Sequence, residues 1–530
     1  MKLSVRAGLS GVAAAAVAVG VAEVVAVLTG ALSAPLLAVG GVVVDNVPGP
    51  VKDFGVRVFG VHDKTALIVG TSVLLAVYAY GLGVVALRSW RSAVGGIGLF
   101  AAVGVAAAMT RHDAGVFAWL PTVVGAGLAV WVLRLLLDQA GADLTARTPV
   151  LVGATTGNRP DHDGVRTARP PAAPDPYGKD RRGFLKLLGY AFGAAAVTGF
   201  AGRWLTSRQA VTAARNDVVL PVPRQTAPPL PDGVQVPDVT PYISPNKDFY
   251  RIDTALIPPQ VDPATWQLKI HGMVRNPITI TWEQLLQRPM IERYVTLACV
   301  SNEVGGDLIG NAKWLGTPIR ELLEEAGPLP GADQVVQRSV DGWTCGSPTA
   351  TLMDGRDALL AVGMNGQPLP VDHGFPVRMV VPGLYGYVSA CKWITEIELT
   401  RFADFDAYWV PRGWSAQAPI KTESRIDTPR DGGRRSAGTV VVGGVAWAQH
   451  RGIKKVEVQV DDGAWAEAAL AATVSSDTWR QWSYAWPATA GEHSLRVRAT
   501  DGQGVTQTST PAAPAPDGAS GWHRIQVRID

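Results

Sequence analysis

Of the three cysteines in the 530-residue chain, Cys299, Cys345 and Cys391, none belongs to a C-x-x-C pair. A structural zinc site or an iron–sulfur cluster draws on such closely spaced thiols, so neither is expected. Cys299 follows the β-prone run Tyr294-Val-Thr-Leu297 and precedes the glycine-rich Val304-Gly-Gly-Asp-Leu-Ile-Gly310, which puts its thiol where a strand ends and a loop begins. A thiol so placed can ligate a metal, and its bland alternative is a buried free cysteine. None of the eight histidines falls inside an apolar run long enough to cross a bilayer, so haem held between facing helices is not expected either.

The stretch Thr296-Leu-Ala-Cys-Val-Ser-Asn302, with its continuation to Trp314-Leu-Gly-Thr-Pro-Ile-Arg-Glu-Leu-Leu323, resembles the molybdenum-cysteine segment of the sulfite oxidase family of molybdopterin enzymes. That segment is an apolar strand, a Cys, and an Asn three residues on. A second block, Met364-Asn-Gly-Gln-Pro-Leu-Pro-Val-Asp-His-Gly-Phe-Pro-Val-Arg378, followed by Val380-Val-Pro-Gly-Leu-Tyr-Gly386 and Lys392-Trp393, is similar to the same family's pterin-phosphate segment. The resemblance covers roughly Thr240 to Asp530.

It implies a molybdenum-molybdopterin cofactor, with Cys299 as the protein thiolate on the metal and Asn302, His373, Arg378 and Lys392 as cofactor contacts through charge-assisted hydrogen bonds. Phe249-Tyr-Arg-Ile-Asp253 looks like the family's Arg-x-His segment, with Asp253 in the third position. Arg251 is then a cofactor or substrate contact. Tyr408, in Asp406-Ala-Tyr-Trp-Val-Pro-Arg412, matches an active-site tyrosine, and Arg480, in Trp479-Arg-Gln-Trp482, resembles a pocket arginine from the carboxyl-terminal domain.

The implied reaction is two-electron oxo transfer at molybdenum between sulfite, or a related small substrate, and an external electron partner such as a cytochrome or quinone-linked protein. No haem or flavin segment is visible, and no haem, flavin or zinc is expected. One departure bears on substrate: sulfite-oxidising members place basic residues after the Cys-x-x-Asn run, whereas Glu303 and Val304 stand here. A carboxylate near the site repels sulfite, with Lys313 as the cation that would compensate. The same chemistry in reverse reduces an S- or N-oxide such as methionine sulfoxide, and a cofactor-free binding or scaffold module is the remaining alternative.

The elements that must position these residues occupy the second half of the chain. Before about residue 138 the sequence is mostly Ala, Val, Leu and Gly. Runs of spanning length occur at Ala7–Leu28, Thr65–Leu87, Ala93–Met109 and Gly115–Leu137, so residues 1–137 are read as a membrane region of about four spans. Ala31–Val44 suits a re-entrant or interfacial segment. Residues 138–182 form a cytoplasmic Pro/Arg-rich linker, and Arg181-Arg-Gly-Phe-Leu-Lys186 resembles the twin-arginine export motif at the head of a signal-anchor span, 183–205.

The basic residues Arg88, Arg91, Arg147, Arg159, Arg166, Arg169, Lys179, Arg181 and Arg182 mark the cytoplasmic side. With the amino terminus inside, everything after about Thr206 lies outside the cell membrane. A molybdopterin domain is loaded in the cytoplasm, so it must cross already folded, which makes the twin-arginine translocation machinery a partner. In such an exported domain Cys345 and Cys391 are candidates for a disulfide. Gly81-Leu-Gly-Val-Val-Ala86 lies within a span and reads as helix packing rather than a dinucleotide loop.

After an extended linker, 206–240, the molybdopterin-binding domain, 241–430, mixes strands with short helices. Leu268 and Ile270 alternate, as do Ile278 and Ile280, and Thr281-Trp-Glu-Gln284 has the spacing of a capping box. Thr317-Pro318 opens a helix that stops at Gly327. From 431 to 530 the pattern is purely β, with Val456, Val458 and Val460 alternating against polar neighbours, and six tryptophans, Trp447, Trp465, Trp479, Trp482, Trp486 and Trp522, supply core bulk. The expected fold is multi-domain: an α-helical membrane bundle, an α+β sulfite-oxidase-like molybdopterin domain, and an all-β immunoglobulin-like sandwich, a module that mediates dimerisation in the family the chain resembles, so that the resemblance implies a homodimer. A net charge of +3 without basic runs interleaved with aromatics implies no nucleic-acid partner.

Overall fold

A computed structural model describes residues 2–30, 33–47, 51, 58–59, 63–111, 114–140, 181–208 and 211–530. The Pro-rich run 158–176 and the basic residues Arg147 to Lys179 lie outside the described residues. The chain divides into two compact units, Met1–Arg208 and Gln209–Asp530.

The first unit is helical: α1 (Leu3–Thr29), α2 (Pro35–Asn46), α3 (Asp63–Ala86), α4 (Trp90–Met109), α5 (Leu120–Ala140) and α6 (Arg181–Arg208). All but α2 are long and apolar enough to cross a membrane, five among the described residues. In lipid there is no hydrophobic force to drive helices together, so close approach depends on small residues. A Cβ on Gly11 would run into the Ala79 carbonyl oxygen, and one on Gly83 into that of Ala7, so α1 and α3 cross backbone to backbone in antiparallel sense. Gly20 of α1 meets Ala195 and Thr198, and Glu23 meets Gly202. These increasing pairs make α1 and α6 parallel. Asp45 of α2 forms an ion pair with Arg111, just past the end of α4.

The second unit holds four sheets. In the first, the strands Ile291–Ala298, Ile309–Pro318, Leu359–Met364 and Gln367–Pro368 are neighbours in that order, and Arg378–Val380 pairs with Leu359–Met364. In the second the order is Ile278–Thr281, Gln267–Gly272, Ile394–Thr400, Gln334–Ser339, Thr344–Pro348. Leu268, Ile270 and Ile280 are buried as their alternation requires. Thr281 and Gln284 form both halves of the capping box that starts the helix Trp282–Leu286, and Gly327, in the left-handed conformation, ends Ile319–Ala326.

The other two sheets, of four and five strands, form the sandwich. Two of the six tryptophans depart from expectation: Trp465 and Trp522 are only half-buried and meet edge to face at 4.9 Å, with the Arg498 guanidinium over Trp465. Trp482 and Trp486 fill the sandwich core, while Trp447 and Trp479 join the core of the neighbouring domain.

The linker also differs from a free spacer. It contains the short helix Val211–Asp217, and Val234, Val236, Val239 and Tyr242 are buried in the domain core. The Gln481 side chain ties it down at two points, taking the Val236 N–H at 2.6 Å and donating to the Thr240 carbonyl at 2.7 Å.

The glycine contacts in the bundle give a paired test. Gly83→Leu should destabilise the helical unit by about 1–3 kcal/mol through overpacking, read as a lower thermal midpoint in detergent. Gly81→Leu, where a Cβ meets nothing within 4 Å, should leave the midpoint unchanged.

Candidate functional site

The strand Ile291–Ala298 ends one residue before Cys299, whose N–H donates to the Leu308 carbonyl at 2.9 Å. The turn between them is closed by Asn302, whose Oδ1 accepts the Leu308 N–H at 2.8 Å, and Gly306 is required because a Cβ there would sit 2.7 Å from that oxygen. Asn302 therefore shapes the loop and is absent from the wall of the cavity that Cys299 lines. Burial raises the Cys299 pKa, and the Ser301 N–H, at 3.4 Å from Sγ, offsets this only in part. A thiol in that setting ionises when a metal cation takes the place of its proton.

The cavity beside Cys299 measures about 110 Å³. One wall is built from the segment His373–Trp393. Gly374, at φ +108°, turns the chain where a Cβ would meet that of Arg378 at 3.0 Å. Arg378, on the strand Arg378–Val380, is 5% exposed. Its guanidinium donates to the carbonyls of His373 (3.2 Å) and Met379 (3.3 Å) and lies over the Trp314 ring. Among the described residues it has no carboxylate partner, and burial pulls its pKa down to about 10.

His373 Nε2 donates to the Asn246 carbonyl at 3.0 Å. Burial and the nearby Arg378 push its pKa down to about 4, so the ring is neutral near pH 7 and leaves Nδ1 as an acceptor. Lys392 Nζ bonds Asp253 Oδ2 at 2.6 Å and the Asp372 carbonyl at 3.1 Å. Its pKa is lowered by burial to about 8, against the opposing pull of Asp253. Asp253 also takes Arg251 Nε at 2.9 Å, and Arg251 reaches Asp372 at 3.4 Å.

Cys299, His373, Arg378 and Lys392 are thus brought around one cavity, flanked by Arg251. Two other sequence-derived residues are not. Tyr408 lies off the cavity wall, beneath the Arg412 guanidinium at 3.7 Å, and its neighbour Trp409 lines the cavity instead. Arg480 donates to the carbonyls of Ala471 (2.9 Å) and Ile453 (3.1 Å) on its own sandwich.

Glu303 is exposed and away from the cavity, while Lys313 pairs with Glu292 at 2.9 Å. The acids on the wall are Asp253 and Asp341. Asp341 and Trp343, in the hairpin between Gln334–Ser339 and Thr344–Pro348, carry no motif and escape sequence reasoning. Tyr387, just past the quoted Gly386, and Trp409, beside Tyr408, are adjacent to signals that could have found them. Cys345 and Cys391 are free and buried, and the Cys391 thiol donates to the Lys392 carbonyl at 3.6 Å, so the candidate disulfide is not formed in this structure.

The oxidoreductase molybdopterin binding domain family matches residues 255–409, and the bacterial Ig domain family matches 423–497. Human mitochondrial sulfite oxidase is 28% identical over 340 residues, 54% of this chain and 62% of its own. The sulfite oxidase of Arabidopsis thaliana is 28% identical over 370 residues, 55% of this chain and 89% of its own. The uncharacterized oxidoreductase YuiH of Bacillus subtilis is 31% identical over 166 residues, 31% of this chain and 80% of its own. The chain thus spans less than two thirds of the length of the human protein.

Fold and site together define a molybdopterin-dependent oxidoreductase with a carboxyl-terminal immunoglobulin-like sandwich. More narrowly, the chain belongs to the sulfite oxidase family, whose molybdopterin-binding domain implies a molybdenum cofactor. The residues present fit that group: Arg378 is a buried cation awaiting an anion, His373 and Lys392 lie beside it, and a soft sulfur donor stands on the same cavity. Among the described residues no cluster of three or more His, Cys, Asp or Glu could hold a metal by itself, so Cys299 would be one ligand and the cofactor's own sulfurs would supply others.

Arg378→Met keeps the side chain's bulk and removes its charge. A charge-assisted bond contributes about 1.5–3 kcal/mol, so cofactor retention should weaken roughly tenfold to a hundredfold. The check is molybdenum content per folded protein. Cys299→Ser should likewise lower it while leaving the circular dichroism spectrum unchanged.

Proposed function

We propose that the protein is a membrane-anchored, outward-facing enzyme that carries out two-electron oxo transfer on a small sulfur or nitrogen centre and exchanges electrons with an external one-electron partner, a cytochrome or quinone-linked protein. The observation that carries this reading is the buried Arg378, without a carboxylate, on the same cavity as the Cys299 thiol. When bound, the molybdenum cofactor supplies the two-electron redox couple and the oxo-transfer chemistry. Arg378 and Lys392 would hold its phosphate by charge and His373 by a neutral hydrogen bond. Asp253 keeps the Lys392 ammonium oriented, and Trp343, Tyr387 and Trp409 keep bulk water out of the cavity.

Membrane anchoring is supported by the five long apolar helices. The parallel packing of α1 and α6 is consistent with the amino terminus and the Arg181-Arg182 pair lying on one side, which would leave residues after α6 on the other. We assign the twin-arginine machinery as the export route and the sandwich as the surface for a homodimer on the same footing.

Sulfite is the substrate named by the human and plant relatives. A specific observation favours a neutral substrate instead, such as a sulfoxide. The cations that would meet an anion are engaged elsewhere: Lys313 with Glu292, Arg480 with backbone carbonyls, Arg251 with Asp253 and Asp372. The mouth that remains is aromatic, with the carboxylates of Asp253 and Asp341 on its wall.

Detergent-purified protein of measured molybdenum content separates these substrates. Sulfite-dependent reduction of ferricyanide and sulfoxide-dependent oxidation of a reduced viologen are compared, with Cys299→Ser as control. The neutral sulfoxide should show the higher kcat/KM. Efficient sulfite turnover would reinstate the anion, and metal-loaded protein that turns over neither substrate would sink the oxo-transfer reading.

A further inference from the structure

After α6 the chain carries a segment, Val211–Gln225, that precedes the family match at 255–409 and lies along the molybdopterin domain. At its start Arg215, in the short helix Val211–Asp217, donates from Nε to the Leu369 carbonyl at 2.7 Å and from Nη2 to the Pro368 carbonyl at 2.6 Å. Its Nη1 turns to Asn216 Oδ1 at 3.3 Å, and no carboxylate among the described residues pairs with it. Further on, Leu220 lies over Gly363, where an added Cβ would meet its Cδ1 at 3.0 Å. At the far end Gln225 bridges to Ile291 in parallel register. Its carbonyl accepts the Glu292 N–H at 2.9 Å, and its Oε1 accepts Arg293 Nη2 at 2.6 Å. The segment therefore runs from the stretch that leads into His373 and Arg378 to the strand that ends before Cys299.

The Arg215 contacts fall where that cavity wall begins. Pro368 and Pro370 have no N–H to give, so the backbone between them relies on the bond from the Leu369 N–H to the Val362 carbonyl at 3.1 Å and on partners for its carbonyls. The next carbonyl, of Pro370, accepts the His373 N–H at 2.9 Å and the Phe375 N–H at 3.3 Å. The Asp372 carbonyl takes Lys392 Nζ, and the His373 carbonyl takes Arg378 Nη1. A displacement at Pro368–Leu369 thus moves His373, Arg378 and Lys392 together. Packing adds a second link. Val211, 3% exposed, belongs to the apolar cluster of Phe249, Trp314 and Phe375, and Val218 packs against it. Phe249 meets His373 edge to face at 5.5 Å and Trp314 at 5.8 Å, and the Arg378 guanidinium lies over Trp314.

We propose that Val211–Gln225 is a strap for cofactor retention and that Arg215 is its clasp, a positioning residue that keeps His373, Arg378 and Lys392 turned into the Cys299 cavity. This rests on the cofactor reading above. Arg215 is absent from the cavity wall, so it acts through the turn it holds. Placement separates this role from general stabilisation, because the strap engages the two stretches that supply the anion-binding groups and the thiol. Donors already fixed in place hold an anion more tightly than donors that must be ordered on binding. A loosened clasp therefore shows as faster loss of the cofactor from a domain that is still folded.

The test uses the detergent-purified full chain with its molybdenum content measured first, then followed through repeated desalting well below the thermal midpoint. Arg215→Gln should lose molybdenum about fivefold faster than wild type, the factor that one net hydrogen bond supports. Arg215→Lys, which keeps the charge and a donor, should restore part of the retention. Thr212→Ala, exposed on the same helix, should lose metal at the wild-type rate. Val458→Ala, in the sandwich core, should lower the thermal midpoint without speeding the loss, which separates the clasp from mere stability. Where Arg215→Gln fails to fold, Leu220→Ala loosens the strap at its other hold and is read in the same way. A folded Arg215→Gln protein that keeps molybdenum as wild type does, or a Val458→Ala protein that loses it as fast as Arg215→Gln, overturns the inference alone. Wild-type protein that never contains molybdenum overturns the functional reading instead, and the initial metal assay tells the two failures apart.

Discussion

A guanidinium taken out of water needs a counter-charge, and the arrangement around Arg378 withholds one. The short strand that carries Arg378 is buried along its length, Trp314 covers one face of the guanidinium, and the carbonyls of His373 and Met379 satisfy some of its N–H groups without neutralising it. The carboxylates available in this region, Asp253 and Asp372, are both committed to Arg251, and Asp253 also to Lys392. The domain thus folds around a positive charge that no carboxylate among the described residues neutralises, a cost that a bound anion would relieve. The glycine at 374 and the neutral state of His373 follow from that constraint, since both let the chain close tightly around the guanidinium without adding a second full charge.

The sandwich contributes more than a separate module would. Trp479 donates its backbone N–H to Thr296 Oγ1 at 2.8 Å and its indole N–H to the Tyr242 carbonyl at 3.0 Å. Gln449 bonds the Thr296 carbonyl, and Arg425 reaches the Gly306 carbonyl at 2.7 Å. The strand that delivers Cys299, and the loop that follows it, are therefore held from both domains. Positional accuracy at the thiol depends on this double support, because a loop fixed from one side only has freedom that a metal ligand must give up on binding.

Much of the site was readable because its parts are contiguous. His373, Gly374 and Arg378 lie within six residues, and short-range turn geometry brings them together without help from the rest of the fold. The capping box at Thr281 and the alternating strands were equally local. What escaped depends on pairing over distance. Asp341 and Trp343 reach the cavity because Gln334–Ser339 pairs with Ile394–Thr400, a register that sequence spacing does not encode. Arg480 illustrates parity in a strand: Trp479 and Gln481 face the molybdopterin domain and its linker, so the residue between them faces the other way. Resemblance located the segment, and the pleat decided which of its side chains looked inward.

The parallel fit of α6 against α1 has a bearing on assembly. If Arg181–Lys186 directs export, α6 cannot take its final place until the cofactor-loaded domain behind it has folded and crossed, whereas α1 to α5 precede it in synthesis. The bundle would then spend an interval with the α1 groove around Gly20 and Glu23 exposed to lipid, waiting for its last helix. Insertion of α6 would close that groove and keep the signal helix as a structural member of the bundle. Removing it afterwards would reopen the seam between Gly20 and Thr198.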